Sequence, residues 1–184
     1  MRRFSKLVEK HFSFLGCYGY ICVQDNSEES VCFAGENNQI DIIFSAIGYE
    51  LTCQFVDSAK NSFSLQDGLG YVEIKEFKGL YQIPSKEEIE KGIIYLADAV
   101  KSLFDKIDIS DTMNFQRIYH YRLDVQKKML EEYYFTIDIK KAEEFWKKGD
   151  YSKTQQLYER HLGSLSKVQR KRLEYIRKND EKGK

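Results

Sequence analysis

The side chains of this 184-residue chain that could serve as nucleophiles, acids, bases or ligands are few and scattered. Its histidines, His11, His120 and His161, fall on three different predicted helices, and none has a Cys or carboxylate at a ligand-like repeat. Each reads as an amphipathic boundary or surface residue rather than as a base or a metal ligand. Cys17, Cys22, Cys32 and Cys53 are separated by four, nine and twenty residues. Structural zinc sites bring a close cysteine pair, which only Cys17 and Cys22 border on. The cysteines read as small buried hydrophobes on strands. Glu131–Glu132 and Glu143–Glu144 are adjacent carboxylates that point in different directions on a helix, as on a solvated face. Arg117 and His120 stand three apart, a shorter spacing than ribonuclease-like pairs use. Gly68-Leu69-Gly70 lacks the third glycine and the Lys-Ser/Thr of a phosphate loop and reads as a turn that breaks any helix nearby. H-E-x-x-H and G-x-S-x-G do not occur. The expectation is no catalytic, cofactor-binding or metal-ligating residue and no cofactor. An active site assembled from residues distant in sequence stays open.

Charge carries more information. Lys and Arg number 29, as do Asp and Glu, so the formal net charge is zero. That zero is a sum of unlike parts. Residues 1–110 hold 11 basic and 17 acidic residues, residues 111–146 hold 6 and 7, and residues 147–184 hold 12 and 5. The final predicted helix carries Lys167, Arg170, Lys171, Arg172, Arg177 and Lys178. At about 100° per residue, Lys167, Arg170, Lys171 and Lys178 gather on one side. Leu165, Val168, Tyr175 and Ile176 lie nearer the other, with Arg172 flanking that apolar stripe. Such a helix is a solvated face, a partner for the acidic domain of its own chain, or a contact for an acidic protein or nucleic acid. Lys167, Arg170, Lys171, Arg172 and Lys178 are the candidate partner-binding residues.

The elements that must position these groups change character midway. Residues 4–15 have apolar positions at helical spacing, ended by Gly16. Four strand-like runs follow at 18–24, 30–34, 39–46 and 49–56, joined by the polar turns 25–29 and 35–38 and a tight turn near Gly48. In the last run Tyr49, Leu51, Cys53 and Phe55 alternate with Glu50, Thr52 and Gln54, the pattern of a half-buried strand. Connections this short favour an antiparallel meander, because a parallel pair needs a long crossover. Residues 57–61 read as a loop, and 71–81 as a short strand or a covering loop. Pro84 and the S-x-x-E capping box from Ser85 start a helix of roughly six turns along Ile89, Ile93, Leu96, Val100, Leu103/Phe104 and Ile107. After a break at 108–111, capped by Ser110 or Asp111, helical sequence runs through 133, continues at 137–148, and resumes at 151–161 and 166–178. Residues 179–184 should fray. Strands then helices give an α+β fold: an N-terminal helix and a small antiparallel meander packed by helices over 1–108, then a helical extension over 109–184. The longest apolar stretches, 40–47 and 92–100, contain Asp41 and Asp98 and fall short of the roughly 20 residues of a membrane span. Glu9, Lys10 and His11 stand where an export signal would be most apolar. A cytoplasmic protein with reduced thiols and no membrane association is expected.

Two stretches resemble known types. Ala142, Phe145, Trp146, Gly149-Asp150-Tyr151, Leu157 and Tyr158 look like one tetratricopeptide-type helical hairpin with a following helix, over about 137–178. It departs from the repeat at Thr154, where a small Ala is usual, and one unit is too few for a solenoid. The resemblance implies a hairpin docked on the domain. The N-terminal helix ending Phe14-Leu15, with Tyr18-Gly19-Tyr20, Ile40-Asp41-Ile42 and Glu50-Leu51, is similar to small bacterial cytoplasmic proteins of uncertain role, immunity proteins of polymorphic toxin systems among them. That resemblance implies a non-catalytic protein that binds and neutralises a partner. The expected function is therefore protein binding, with a protein partner, acidic partners included. Nucleic-acid binding through the basic last helix and an enzyme with a dispersed site are the alternatives.

Overall fold

The structure, a computed structural model, describes residues 2–23, 29–78, 80–83 and 88–182. The capping box at Ser85 and all but Glu29 of the turn at 25–29 lie outside the described residues. Helix α1 (Arg2–His11) buries Phe4 and Val8 one turn apart, and Phe12 just beyond its end continues the same row. It ends earlier than expected. The chain tightens into a 3-10 turn at Ser13–Tyr18 that contains Gly16, and the residue that reverses it is Gly19, at φ +81°. The Gly19 amide donates to the Gly16 carbonyl and the Tyr20 amide to the Leu15 carbonyl, which satisfies the end of the turn.

Among the described residues six strands follow: β1 (Ile21–Val23), β2 (Ser30–Ala34), β3 (Asn38–Ser45), β4 (Glu50–Asp57), β5 (Ser62–Ser64) and β6 (Leu80–Gln82). They form one antiparallel sheet in the order β1-β2-β3-β4-β5, with β6 pairing β4 beside β5. β5 takes residues 54–56 of β4 and β6 takes 50–52. The register Phe33↔Ile40↔Phe55↔Phe63 runs a row of apolar side chains across one face. With Val31, Ile42, Phe44, Leu51 and Cys53 that face is the floor of the core. The opposite face carries Cys32, Asp41 and Gln54 in register.

Two further helices among the described residues pack on the apolar floor. Sequence analysis made residues 68–70 a helix breaker, but α2 (Leu65–Tyr71) runs through both glycines. Ser64 starts it with a reciprocal box. Its hydroxyl accepts from the Asp67 amide, and the Asp67 carboxylate accepts from the Ser64 amide. The glycines permit close packing: a Cβ at Gly68 would stand 2.7 Å from a methyl of Leu103. Helix α3 (Ile89–Phe104) has 16 residues rather than six turns. Its stripe Ile93, Leu96, Val100, Leu103 and Phe104 is buried as the spacing required. Gly92 faces the sheet, where a Cβ would lie 2.8 Å from both Leu51 and Tyr81. The chain then leaves the helix and buries Ile109, whose carbonyl accepts from Asn38 Nδ2 at 2.8 Å. Tyr20 donates its hydroxyl to Asn38 Oδ1.

The remainder is helical. Asp111 accepts from the Asn114 amide and starts α4 (Thr112–Lys147), one unbroken helix of 36 residues. α5 (Tyr151–Glu159), a 3-10 turn (Leu162–Ser164) and α6 (Lys167–Lys182) follow. α6 reaches Lys182, and residues 183–184 of the stretch expected to fray lie outside the described residues. The fold is α+β, an antiparallel sheet packed by helices with a helical C-terminal part. The chain forms two compact units, Met1–Asp124 and Val125–Lys184. Their division falls within α4 rather than at residue 108, because Phe115 and Ile118 from its first turns join the core of the first unit. No helix among the described residues is long and apolar enough to cross a membrane.

Candidate partner-binding surface

The basic helix belongs to the second unit, whose core is Ala142, Leu157, Tyr158, Leu165 and Leu173 with Ile139 and Phe145. The turn that folds α5 back is made by Gly149 at φ +75°, a conformation that favours glycine. Asp150 then caps α5, accepting from the Lys153 amide at 3.2 Å and pairing with the Lys153 ammonium at 2.7 Å. The bonds from Lys153 hold its carboxyl below the usual value. Thr154 is fully buried at the position where a small residue is usual. It fits because its hydroxyl donates to the Asp150 carbonyl at 2.8 Å, leaving no unpaired polar atom. Ser166 and Gln169 make a reciprocal cap at the start of α6.

Glu143, on α4, ties the three helices. Its two oxygens accept from Arg172 of α6 at 2.5 Å and Tyr158 of α5 at 3.2 Å. Burial raises the Glu143 carboxyl, but the bonds from Arg172 and Tyr158 outweigh it and leave the group below its ordinary value. Arg172 is held above its ordinary value, chiefly by its bond to Glu143. Its guanidinium, so fixed, lies 5.1 Å over the Trp146 ring. Trp146, Tyr151 and Tyr175 form a closed triangle with ring centroids 5.1, 5.9 and 6.0 Å apart and steeply tilted planes. Tyr151 is 40% and Tyr175 50% exposed, so the triangle is a surface feature.

The five candidate cations separate into two groups. Arg172 is spent on Glu143 and Trp146. Arg170 donates to the carbonyls of Leu165 and Gly163 and ties off the preceding turn. Lys167, Lys171 and Lys178 are exposed and, among the described residues, in no ion pair. At about 100° per residue they form a narrow line, beside Val168 and Tyr175 and one step from Arg172. Val168 is exposed, and the buried positions of α6 are Leu173 and Ile176, so the expected apolar stripe shifts toward Leu173. The result is an aromatic and arginine centre with a lysine border. Sequence reasoning found the border and missed the centre, because Trp146, Tyr151 and Tyr175 come from three helices.

Other groups meet that the sequence kept apart. His11 Nε2 stands 3.1 Å from Glu90, and His161 Nε2 stands 3.0 Å from Asp138, so two of the three histidines have carboxylate partners. His161 also borders a depression of about 530 Å³ with Lys128, Glu131, Glu132 and Arg160. An imidazole oriented by a carboxylate beside further acids is equipped for proton transfer. Its wall mixes two cations with two anions. Among the described residues no three His, Cys, Asp or Glu side chains are grouped to hold a metal. All four cysteines are free thiols. Cys53 is the one fully buried, which pushes its thiol well above the usual range. Burial raises Cys22 as well, with Glu9 adding to it. Cys17 is exposed on the 3-10 turn, not on a strand as expected. No protein-family model, no curated protein and no solved structure matches the chain.

Proposed function

We propose that the chain is a non-catalytic protein-binding module whose helical unit holds an acidic partner. The observation that carries this reading is the exposed triangle of Trp146, Tyr151 and Tyr175 with Arg172 clamped over it. Trp, Tyr and Arg supply most binding energy at protein interfaces, above all where they are rigid before the partner arrives. Glu143 provides that rigidity. A lysine border of Lys167, Lys171 and Lys178 favours acidic partners and speeds encounter. The immunity-like N-terminal stretch names one form of such a partner, a toxin that the module neutralises. Cytoplasmic residence with reduced thiols belongs to the same proposal.

The test is affinity capture from the native host with wild-type chain and with Tyr175→Ser and Lys171→Glu/Lys178→Glu variants. All three positions are exposed, so folding is preserved. A stable partner retained by wild type and lost by both variants supports the reading. A partner retained equally by all three refutes the surface. Lysines beside exposed rings also suit single-stranded nucleic acid, which binds by stacking and cation contacts. Low-salt titration with a labelled oligonucleotide separates the two, since nucleic-acid affinity falls steeply as salt rises.

A further inference from the structure

Residues 11–59 contain no Lys or Arg, although these are 29 of the chain's 184 residues. The same stretch holds seven Asp and Glu. It comprises β1 to β4 and their connections, and β5 and β6 add no cation. The positions of β2, β3 and β4 that alternate with the buried floor point away from it and are half-buried. A sheet surface left to water ordinarily carries lysine, which also blunts exposed edges. This face carries Asp41 near its middle and Glu50 at one end, among uncharged side chains such as Cys32, Thr52 and Gln54.

The charge and the apolar groups of the face say what it fits. Among the described residues neither Asp41 nor Glu50 is in an ion pair. Asp41 accepts from the Gln39 amide at 3.0 and 3.1 Å, a neutral donor that leaves its charge uncompensated. Carboxylates gathered without cations repel one another, refuse a polyanion and attract a cationic partner. The rows of Asp41 and Glu50 are four residues apart along the strands, about 13 Å at about 3.3 Å per residue. Cations four residues apart on an extended segment have the same spacing. On β1 the same face presents Ile21 and Val23, in register with Ala34 and Cys32 and 73% and 47% exposed. Sparse charge beside exposed apolar side chains is the composition of an interface centre.

We propose that the outward face of β1–β4 is a docking surface for a basic polypeptide segment, whose cations meet Asp41 and Glu50 and whose apolar groups meet Ile21 and Val23. This partner is opposite in charge to the one proposed for the helical unit, so the two surfaces stand or fall separately.

Titration of the isotope-labelled full chain at low salt with a short peptide of alternating lysine and threonine, followed by nuclear magnetic resonance, tests this. Amide shifts should gather in β1–β4 and fade as salt rises. Asp41→Asn with Glu50→Gln should weaken binding roughly tenfold. Asp98→Asn with Asp105→Asn, the same loss of charge at exposed positions in α3 and at its end, should leave binding unchanged. The same peptide with glutamate in place of lysine should shift nothing in β1–β4. Circular dichroism confirms that each variant is folded. A lysine peptide that does not bind overturns the proposal. So do shifts scattered over the acids of the whole chain, a glutamate peptide that binds alike, or an Asp98→Asn/Asp105→Asn variant as impaired as the sheet variant.

Discussion

Glu143 accepts from an arginine and a tyrosine on two other helices, and its ionisation is therefore tied to the folding of the second unit. Glu159 is placed alike, held low chiefly by its bonds from Arg177 and Gln155. A carboxylate whose folded value lies below its ordinary one, about 4.5, stabilises the fold above that pH. The contribution is lost as pH falls through the folded value. The expected outcome is a thermal midpoint of the second unit that is flat near neutrality and declines below about pH 4.5. Glu143→Gln should flatten part of that decline, as followed by Trp146 fluorescence. In the first unit, Tyr20→Phe leaves Asn38 Oδ1 without its buried donor. The cost should be about 1–3 kcal/mol in urea unfolding. Neither bond was legible beforehand, since Glu143 and Arg172 are 29 residues apart and Tyr20 and Asn38 are 18 apart. The histidines teach the same point. Each was read on its own helix, and the carboxylates that engage His11 and His161 stand 79 and 23 residues away.

Elements whose period matched their burial were legible. The alternation in β3 and β4 and the stripe of α3 follow from placing one face on a core. α2 was not, because two glycines in seven residues argue against a helix by propensity alone. Its Ser64–Asp67 box was present in the sequence, and close approach to Leu103 makes the missing side chain an advantage. Gly92 carries the prediction at this scale. Gly92→Ala gains helix propensity but drives a methyl against Leu51 and the Tyr81 ring. Overpacking should win and cost about 1–3 kcal/mol. Gly16→Ala, with nothing within 4 Å and no left-handed φ, should be neutral by comparison. Chemical denaturation followed by circular dichroism ranks the two. The expected end of α1 at Gly16 erred for a related reason. Gly19 is the residue whose backbone needs glycine, and two nearby glycines cannot be told apart by composition.

Across the whole molecule, the two units have separate apolar cores and opposite charges. Met1–Asp124 holds 13 basic and 19 acidic residues, and Val125–Lys184 holds 16 and 10. The expected alternatives for the basic helix were a solvated face, pairing with the acidic domain, or contact with another molecule. Part of its charge does something else. Arg172 and Arg177 pair with Glu143 and Glu159, acids of their own unit. Trp146 is the chain's one tryptophan and lies in the second unit. Its fluorescence therefore reports that unit, while far-ultraviolet circular dichroism reports both. With separate cores, the two signals should give non-coincident urea transitions. Phe63→Ala, which hollows the first core, should move the dichroism transition more than the fluorescence one.

The sequence by itself determined the class of fold, the order of strands before helices, the buried faces of β3, β4 and α3, and the concentration of positive charge at the end of the chain. These follow from local spacing: period two or period 3.6 against one apolar core, and charge counted along the chain. Tertiary structure alone decided which cations remain available and which are spent. It also decided that Trp146, Tyr151 and Tyr175 meet, and that the change of unit falls inside α4. Those outcomes depend on side chains from different helices converging. A one-dimensional pattern gives the direction of each side chain from its own element, but not what stands opposite it.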